Sequence, residues 1–449
     1  MYICVQFIDV MLNRKIFAKL EQWFESGNQK AAFLDGARQV GKTTAVRELA
    51  RRHFDNFVEV NFIRTPVAKQ AFDGDLDTKT IVRNLSVMGF GPFVKGSTLV
   101  FFDEIQECPN ARTAIKFLVE EGEYRFVESG SLLGVNYKGG GDGSEIVSSY
   151  PVGFETRMSV YPLDFEEFLW ACGITDDVIG VLRECYRKLT PVPWFVHERI
   201  MGYFRQYLIV GGMPEAVQTF VTEEDFGKVE AVHRDIVASY RDDISKYAGR
   251  DKVLAKRVFD AIPSQLAKQD KRFVLAELEK GASRRKYEDP TQWLIDAGDA
   301  YYSFNTTNFE LPFLSYENRK LYKLYMVDTG LVSHMAFKGM QFKVLNGDIS
   351  VNEGALAENY VATELSSKGI GLHYYDRKSK QELDFIFEED GAITVLEVKS
   401  GAAYKRHASL DAVLRNFPDR IGRAIVLNGN NLDRADEVIY LPFYMTIFL

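Results

Sequence analysis

Short apolar runs alternate with amphipathic stretches through the first 170 residues. That pattern predicts strands and helices in turn, an α/β arrangement. Ile16, Phe17, Leu20, Trp23 and Phe24 share one face of a helix expected over 14–27. Residues 31–34 read as a short buried strand and 44–50 as a helix with one apolar face. A second strand is expected at 57–62, and a polar, partly helical stretch over 65–85. Leu99-Val100-Phe101-Phe102 run without a polar break into Asp103 and Glu104, as a strand buried on both faces does. Residues 124–131 and 152–161 read as further strands, and a helix starts at 163–169. Between the last two strands, the glycines of 138–144 predict a mobile loop.

Farther along, the period is helical over 171–250. Pro191-Val192-Pro193-Trp194 breaks it, and Gly211-Gly212-Met213-Pro214 marks a sharp turn. From 251 to 314 the pattern changes to short helices at 258–262, 273–278 and 291–297, then a strand at 300–304. Three short helices and a β-wing make a winged helix-turn-helix. The last hundred residues predict a helix at 352–365, strands at 372–375, 382–387 and 394–400, a helix at 408–416 and a strand at 423–427. The expected domains are 14–170, 171–250, 251–330 and 345–449.

A chain of 449 residues has room for two to four domains. Its net charge of −8 argues against a uniformly basic nucleic-acid binder but leaves room for a local basic groove. Cys4, Cys108, Cys172 and Cys185 fit neither a zinc pattern nor a disulfide framework, so a reduced, cytoplasmic setting is expected. No run reaches the length of a membrane-spanning helix, and no membrane partner is expected. Residues 1–12 are apolar but carry Asp9 and lack a basic start, a poor signal peptide. Met11 reads as the more natural start, with the first ten residues as an upstream extension.

Gly36-Ala37-Arg38-Gln39-Val40-Gly41-Lys42-Thr43 fits the phosphate-loop pattern GxxxxGK[ST] at every fixed position, between a strand and a helix. Gly36 and Gly41 let backbone N–H groups close around phosphates, and the helix N-terminus adds partial positive charge. Residues Gly36 to Thr44 are therefore the expected ATP contacts. Lys42 reaches the β- and γ-phosphates, and the Thr43 hydroxyl is a ligand for Mg²⁺. Asp103 is expected to hold Mg²⁺, and Glu104 to act as general base on the attacking water. A hydroxyl of Ser129 or Ser131 either senses the γ-phosphate or simply opens a turn. Arg157 faces either a phosphate or a surface ion pair. Arg234 and Arg241 are read as a charged helix face or as contacts to a neighbouring subunit's nucleotide.

A second chemical signal lies near the end. Residues two apart on a strand face the same side, so Glu397 and Lys399 point together. Asp384 on an adjacent strand can join them, and Glu358 on the preceding helix can face the group. Such carboxylates can hold Mg²⁺, and Lys399 could position a hydroxide. Arg284, Arg285 and Lys286 near the third short helix are a candidate contact to DNA phosphates.

The phosphate loop, the Asp103-Glu104 strand, Ser129-Gly130-Ser131 and Tyr161 to Phe168 together resemble AAA+-type P-loop ATPases of bacteria and archaea that carry a C-terminal domain of unknown function. Val210 to Ala216 and Arg319 to Leu331 also fit that family. The resemblance covers nearly the whole chain. It implies an ATPase core, a helical lid, a winged-helix segment and a nuclease-like end domain. The order Glu358, Asp384, Glu397, Lys399 resembles the restriction-endonuclease-like PD-(D/E)xK superfamily, without the proline before Asp384. The expectation is a Mg²⁺-dependent ATPase whose nucleotide state controls a nuclease-like domain that meets DNA or another nucleic acid, with a homo-oligomer allowed. The alternative is a nucleotide-dependent switch or scaffold whose nuclease-like domain is inactive and only binds nucleic acid or protein. Small-molecule kinase activity fits the added domains poorly.

Overall fold

The computed structural model describes residues 11–130, 151, 153–339, 344–345, 353–377 and 381–449. They form two compact units, one of residues 14–161 with 292–299, the other of 162–291 with 300–449 and the residues before Arg14. Ser131 and the glycine-rich stretch 138–144 lie outside the described residues.

The N-terminal unit is built on five parallel strands in the order β2-β3-β4-β1-β5. These are β1 (Ala31–Asp35), β2 (Asn56–Asn61), β3 (Thr98–Asp103), β4 (Arg125–Ser129) and β5 (Glu155–Ser159). Parallel neighbours need crossovers, and α2 (Lys42–His53), α3 (Thr78–Val87) and α4 (Pro109–Glu121) supply three of them. An amphipathic α1 (Lys15–Glu25) buries Ile16, Leu20 and Trp23. β1 and β3 are wholly buried, which explains their unbroken apolar runs. Val58, Val60, Phe62, Phe72, Phe102 and Ile115 form the core on one side of the sheet. Each buried aromatic or aliphatic side chain there contributes about 2 kcal/mol. Because β4 lies between β1 and β3, the carboxyl ends of three adjacent strands present the phosphate loop, Ser129 and Asp103 in one row.

The second unit begins with six helices: α5 (Phe165–Ala171), α6 (Asp176–Lys188), α7 (Trp194–Val210), α8 (Pro214–Glu223), α9 (Phe226–Tyr247) and α10 (Lys252–Leu266). Asp164 and Glu167 close α5 with a reciprocal capping box. After α11 (Arg284–Ala297) come β6 (Ala300–Thr306), β7 (Glu317–Met326), α12 (Thr329–Ala336) and α13 (Glu353–Ser367). The run continues with β8 (His373–Asp376), β9 (Glu382–Glu389), β10 (Ala392–Lys399), α14 (Ala408–Asn416), β11 (Ile421–Asn428), β12 (Asp433–Ala435) and β13 (Val438–Pro442). All eight strands form one sheet, ordered β12-β13-β11-β10-β9-β8-β6-β7.

The region expected to be a winged helix differs from the sequence reading in three ways. Residues 273–278 are not a full helix: only Leu275–Glu277 makes a 3₁₀ turn. The Phe273 amide is instead bonded to the Tyr322 carbonyl at 2.8 Å, which draws the chain onto β7. The third helix starts at Arg284 rather than 291 and runs through Pro290. The expected wing, β6 with β7, pairs through β6 with β8 and so belongs to the large sheet. Among the described residues, no helix is long and apolar enough to cross a membrane.

Candidate nucleotide site and a carboxylate–lysine cluster

The phosphate loop leaves β1 and enters α2 through Gly41, whose φ of +95° makes it a left-handed cap. Gly36 is at φ +137°, and a Cβ there would stand 2.1 Å from the Val160 carbonyl oxygen. No other residue fits that approach. Lys42 Nζ donates to the carbonyls of Gly36 at 2.8 Å and Ala37 at 2.7 Å, so it folds back over its own loop. Burial pulls the Lys42 pKa down, while Glu104 and Asp103 pull it up, and the net shift is downward.

Asp103 is the meeting point. Its Oδ2 accepts from the Thr43 hydroxyl at 3.3 Å and from Asn61 Nδ2 at 2.8 Å, and its Oδ1 accepts from the Ser129 hydroxyl. Asp103 is 5% exposed. The arrangement brings Thr43, Asp103 and Ser129 together as hard oxygen donors of the kind Mg²⁺ takes. Glu104, one residue on, sits in left-handed backbone at φ +56°, which turns its side chain out of the strand direction. Its Oε2 accepts from Gln106 Nε2 at 2.5 Å. Asn61 and Gln106 were not singled out by sequence. Asn61 lies level with Asp103 in the β2–β3 register, and that register was the available signal.

The arginines sort differently. Arg157, its side chain exposed, pairs with buried Asp35, the last residue of β1 before the phosphate loop. Arg234 pairs with Asp235, and Arg241 with Asp260. In the basic stretch, Arg284 pairs with Glu288 and Lys286 with Glu279, while Arg285 is exposed. A buried triad went unnoticed in the sequence: Arg112 donates to Glu128 at 2.6 Å and to Glu155 at 2.7 Å.

The C-terminal set also converges. Asp384 on β9 accepts from the Val398 amide of β10 at 2.9 Å, and Glu397 and Lys399 flank that amide. Lys399 Nζ lies 3.3 Å from Glu397 Oε2. Burial pushes the Glu397 carboxyl up to about 7. Glu358 on α13 is 2% exposed and accepts from Tyr325 at 3.4 Å. Two lysines absent from the expected set stand among these acids. Lys271 is ion-paired to Glu358. Lys323, on β7 and wholly buried, lies 2.8 Å from Glu382, 3.7 Å from Asp384 and 3.8 Å from Glu358. Burial alone would raise Asp384, but Lys323 and Lys271 hold its pKa below the usual carboxylate value. Among the described residues, no group of three or more His, Cys, Asp and Glu is placed to hold a metal ion. As they stand, the acids are met by lysines, not arranged around a cation.

The motifs at 210–216 and 328–331 carry structure. Asp328 accepts from the Gly212 amide at 2.6 Å and the Leu331 amide at 3.0 Å, tying the two turns together. Leu163 donates back to the Gly212 carbonyl at 2.7 Å.

A parallel sheet with a phosphate loop at its carboxyl edge and an acidic pair one strand beyond Ser129 defines a nucleotide-binding unit of the P-loop class. Residues 28–169 match a family model described as an AAA domain. With the loop in place, that match supports a P-loop ATPase family for this unit. Residues 201–341 and 353–445 match two models, each described only as a domain of unknown function. No curated protein matches the chain. Among solved structures, the Walker-type ATPase PABY2304 of Pyrococcus abyssi is 12% identical. That comparison covers 72% of this chain and 96% of the other, with a TM-score of 0.42. Protein VC1899 from Vibrio cholerae is 9% identical over 93% of this chain and 95% of its own, with a TM-score of 0.17. Likeness at that level carries no functional weight.

Proposed function

We propose that the chain is a Mg²⁺-dependent ATPase whose nucleotide state controls a nuclease-like C-terminal region that meets nucleic acid. The observation that carries the ATPase part is the convergence of Thr43, Asn61 and Ser129 on Asp103, beside an intact phosphate loop and Glu104. Loop amides and the α2 N-terminus bind the phosphates, and Lys42 leaves its loop carbonyls to meet them. Thr43 and Asp103 would hold Mg²⁺, which supplies charge neutralisation at the phosphates. Glu104 takes the proton of the attacking water, and Ser129 holds Asp103 in place.

Support for control comes from Gly298. It belongs to the N-terminal unit, and a Cβ there would stand 3.0 Å from the Ala37 amide nitrogen. Two residues later the chain enters β6 of the large sheet. A phosphate loop that tightens on ATP therefore presses on a segment covalently continuous with that sheet. The scaffold reading is favoured by one observation, the two lysines among the C-terminal acids. Phosphate release measured with and without DNA, in wild type and Asp384→Asn, separates the readings. Control predicts DNA-dependent turnover and cleavage that vanishes in Asp384→Asn. Binding without cleavage favours the scaffold, and no turnover under any condition removes the ATPase.

A further inference from the structure

The acids of the C-terminal cluster face ammonium groups of two origins. Lys323 and Lys399 come from β7 and β10, strands of the same sheet as Asp384 and Glu397. Lys271 does not. It stands in the irregular turn that follows α10, and its side chain is 17% exposed while that of its partner Glu358 is 2% exposed. The turn is anchored by its neighbour, since Arg272 pairs with Asp270 at 2.5 Å and with Asp376 at 3.2 Å. The Lys271 side chain reaches solvent and can swing out into it, whereas that of Lys323 is 0% exposed and is enclosed on all sides. A second observation points to room for a ligand. Glu397 Oε2 is buried and has no hydrogen bond of good geometry, although Lys399 lies 3.3 Å away.

We propose that Lys271 is a removable counter-ion that keeps this cluster closed to divalent cations. The proposal rests on the nuclease-like reading of the same site. Four carboxyls, Glu358, Glu382, Asp384 and Glu397, are met by three lysines, Lys271, Lys323 and Lys399. Withdrawing Lys271 leaves four carboxyls to two lysines, frees a Glu358 oxygen, and makes the site more negative and richer in the oxygen donors that Mg²⁺ or Mn²⁺ takes. The cation class is hard and divalent, because every freed donor is a carboxylate oxygen. Segments that bind or move the 267–272 turn thereby set whether the site can load metal.

The test is Mn²⁺ titration of the full chain without nucleotide, read by the loss of the free-ion electron paramagnetic resonance signal. The variants are Lys271→Ala, Lys271→Gln, Lys271→Arg, Asp384→Asn alone, and each of the first two combined with Asp384→Asn. Glutamine keeps a donor for Glu358 in case alanine unfolds the turn, and thermal melting checks that the chains are folded. Lys271→Ala and Lys271→Gln are expected to bind one Mn²⁺ at least tenfold more tightly than wild type, and Asp384→Asn to abolish the gain. Lys271→Arg is expected to behave as wild type. Equal, Asp384-dependent binding in wild type and Lys271→Gln would overturn the plug and leave the nuclease-like reading standing. No Asp384-dependent binding in any folded variant would remove both. ATP affinity should be the same in all, so the ATPase reading stands or falls separately.

Discussion

Replacing Glu104 by glutamine removes one charge and keeps the side chain's length. Glu104 closes β3 in left-handed backbone, and Gln106 holds one carboxylate oxygen at 2.5 Å. The variant's amide can still present its carbonyl oxygen to that donor, so the local geometry survives. What is lost is the proton acceptor. General-base groups contribute about 10²- to 10⁴-fold, or about 2.7–5.4 kcal/mol of barrier. ATP binding draws on the loop amides, the α2 N-terminus and Lys42, none of which is changed. Glu104 is the strongest of the charges that raise the Lys42 pKa against burial, so its loss moves Lys42 a little further down. From that modest change an affinity within about threefold of wild type is expected, under 1 kcal/mol. Phosphate release under saturating Mg²⁺-ATP, paired with calorimetric ATP titration, reads both quantities. A Glu104→Gln rate within threefold of wild type would refute the assignment of the base. A large loss of affinity would instead show that Glu104 orders the site.

Other expectations follow from buried groups. Arg112→Ala strands Glu128, whose side chain is fully buried, and should cost about 3–5 kcal/mol of stability in a urea melt. Burial lowers the His233 pKa to about 4, and its ring shares a hydrogen bond of 2.9 Å with the Val210 carbonyl. A depressed value means stability is whole above pH 6.5 and falls as pH drops from there to 4, by up to about 3 kcal/mol; His233→Gln should flatten that limb of the melting profile. Asn61→Leu removes the amide that holds Asp103 at 2.8 Å and should weaken Mg²⁺-dependent turnover more than ATP binding without metal. Gly298→Ala places a Cβ against Ala37 at φ +80°, costing about 1 kcal/mol in backbone strain alone, and should lower ATP affinity while the large sheet melts unchanged.

Much of the N-terminal unit was legible because a parallel sheet buries its strands on both faces. Apolar runs such as 99–102 then announce themselves, and the carboxylates that end them stand at the ligand edge. Glu358, Asp384, Glu397 and Lys399 were legible as strand and helix positions of fixed phase. Lys271 and Lys323 were not, because their partners lie far away in sequence, on a helix for Lys271 and across the sheet for Lys323, and such pairing leaves no local pattern. A trace existed: Lys323 interrupts Leu321-Tyr322 and Leu324-Tyr325, and a lone lysine in a buried strand needs an acid. The helix expected at 273–278 failed for the same reason, since the Tyr322 carbonyl that captures Phe273 belongs to another element.

The claim on which the rest depends is that this chain binds and hydrolyses ATP through one phosphate loop. Phosphate release by the full chain, compared with Lys42→Ala, tests it most directly. The account predicts Mg²⁺-dependent turnover in wild type and none above background in Lys42→Ala. Turnover that survives in Lys42→Ala, or none in a folded wild-type chain with or without DNA, would contradict it.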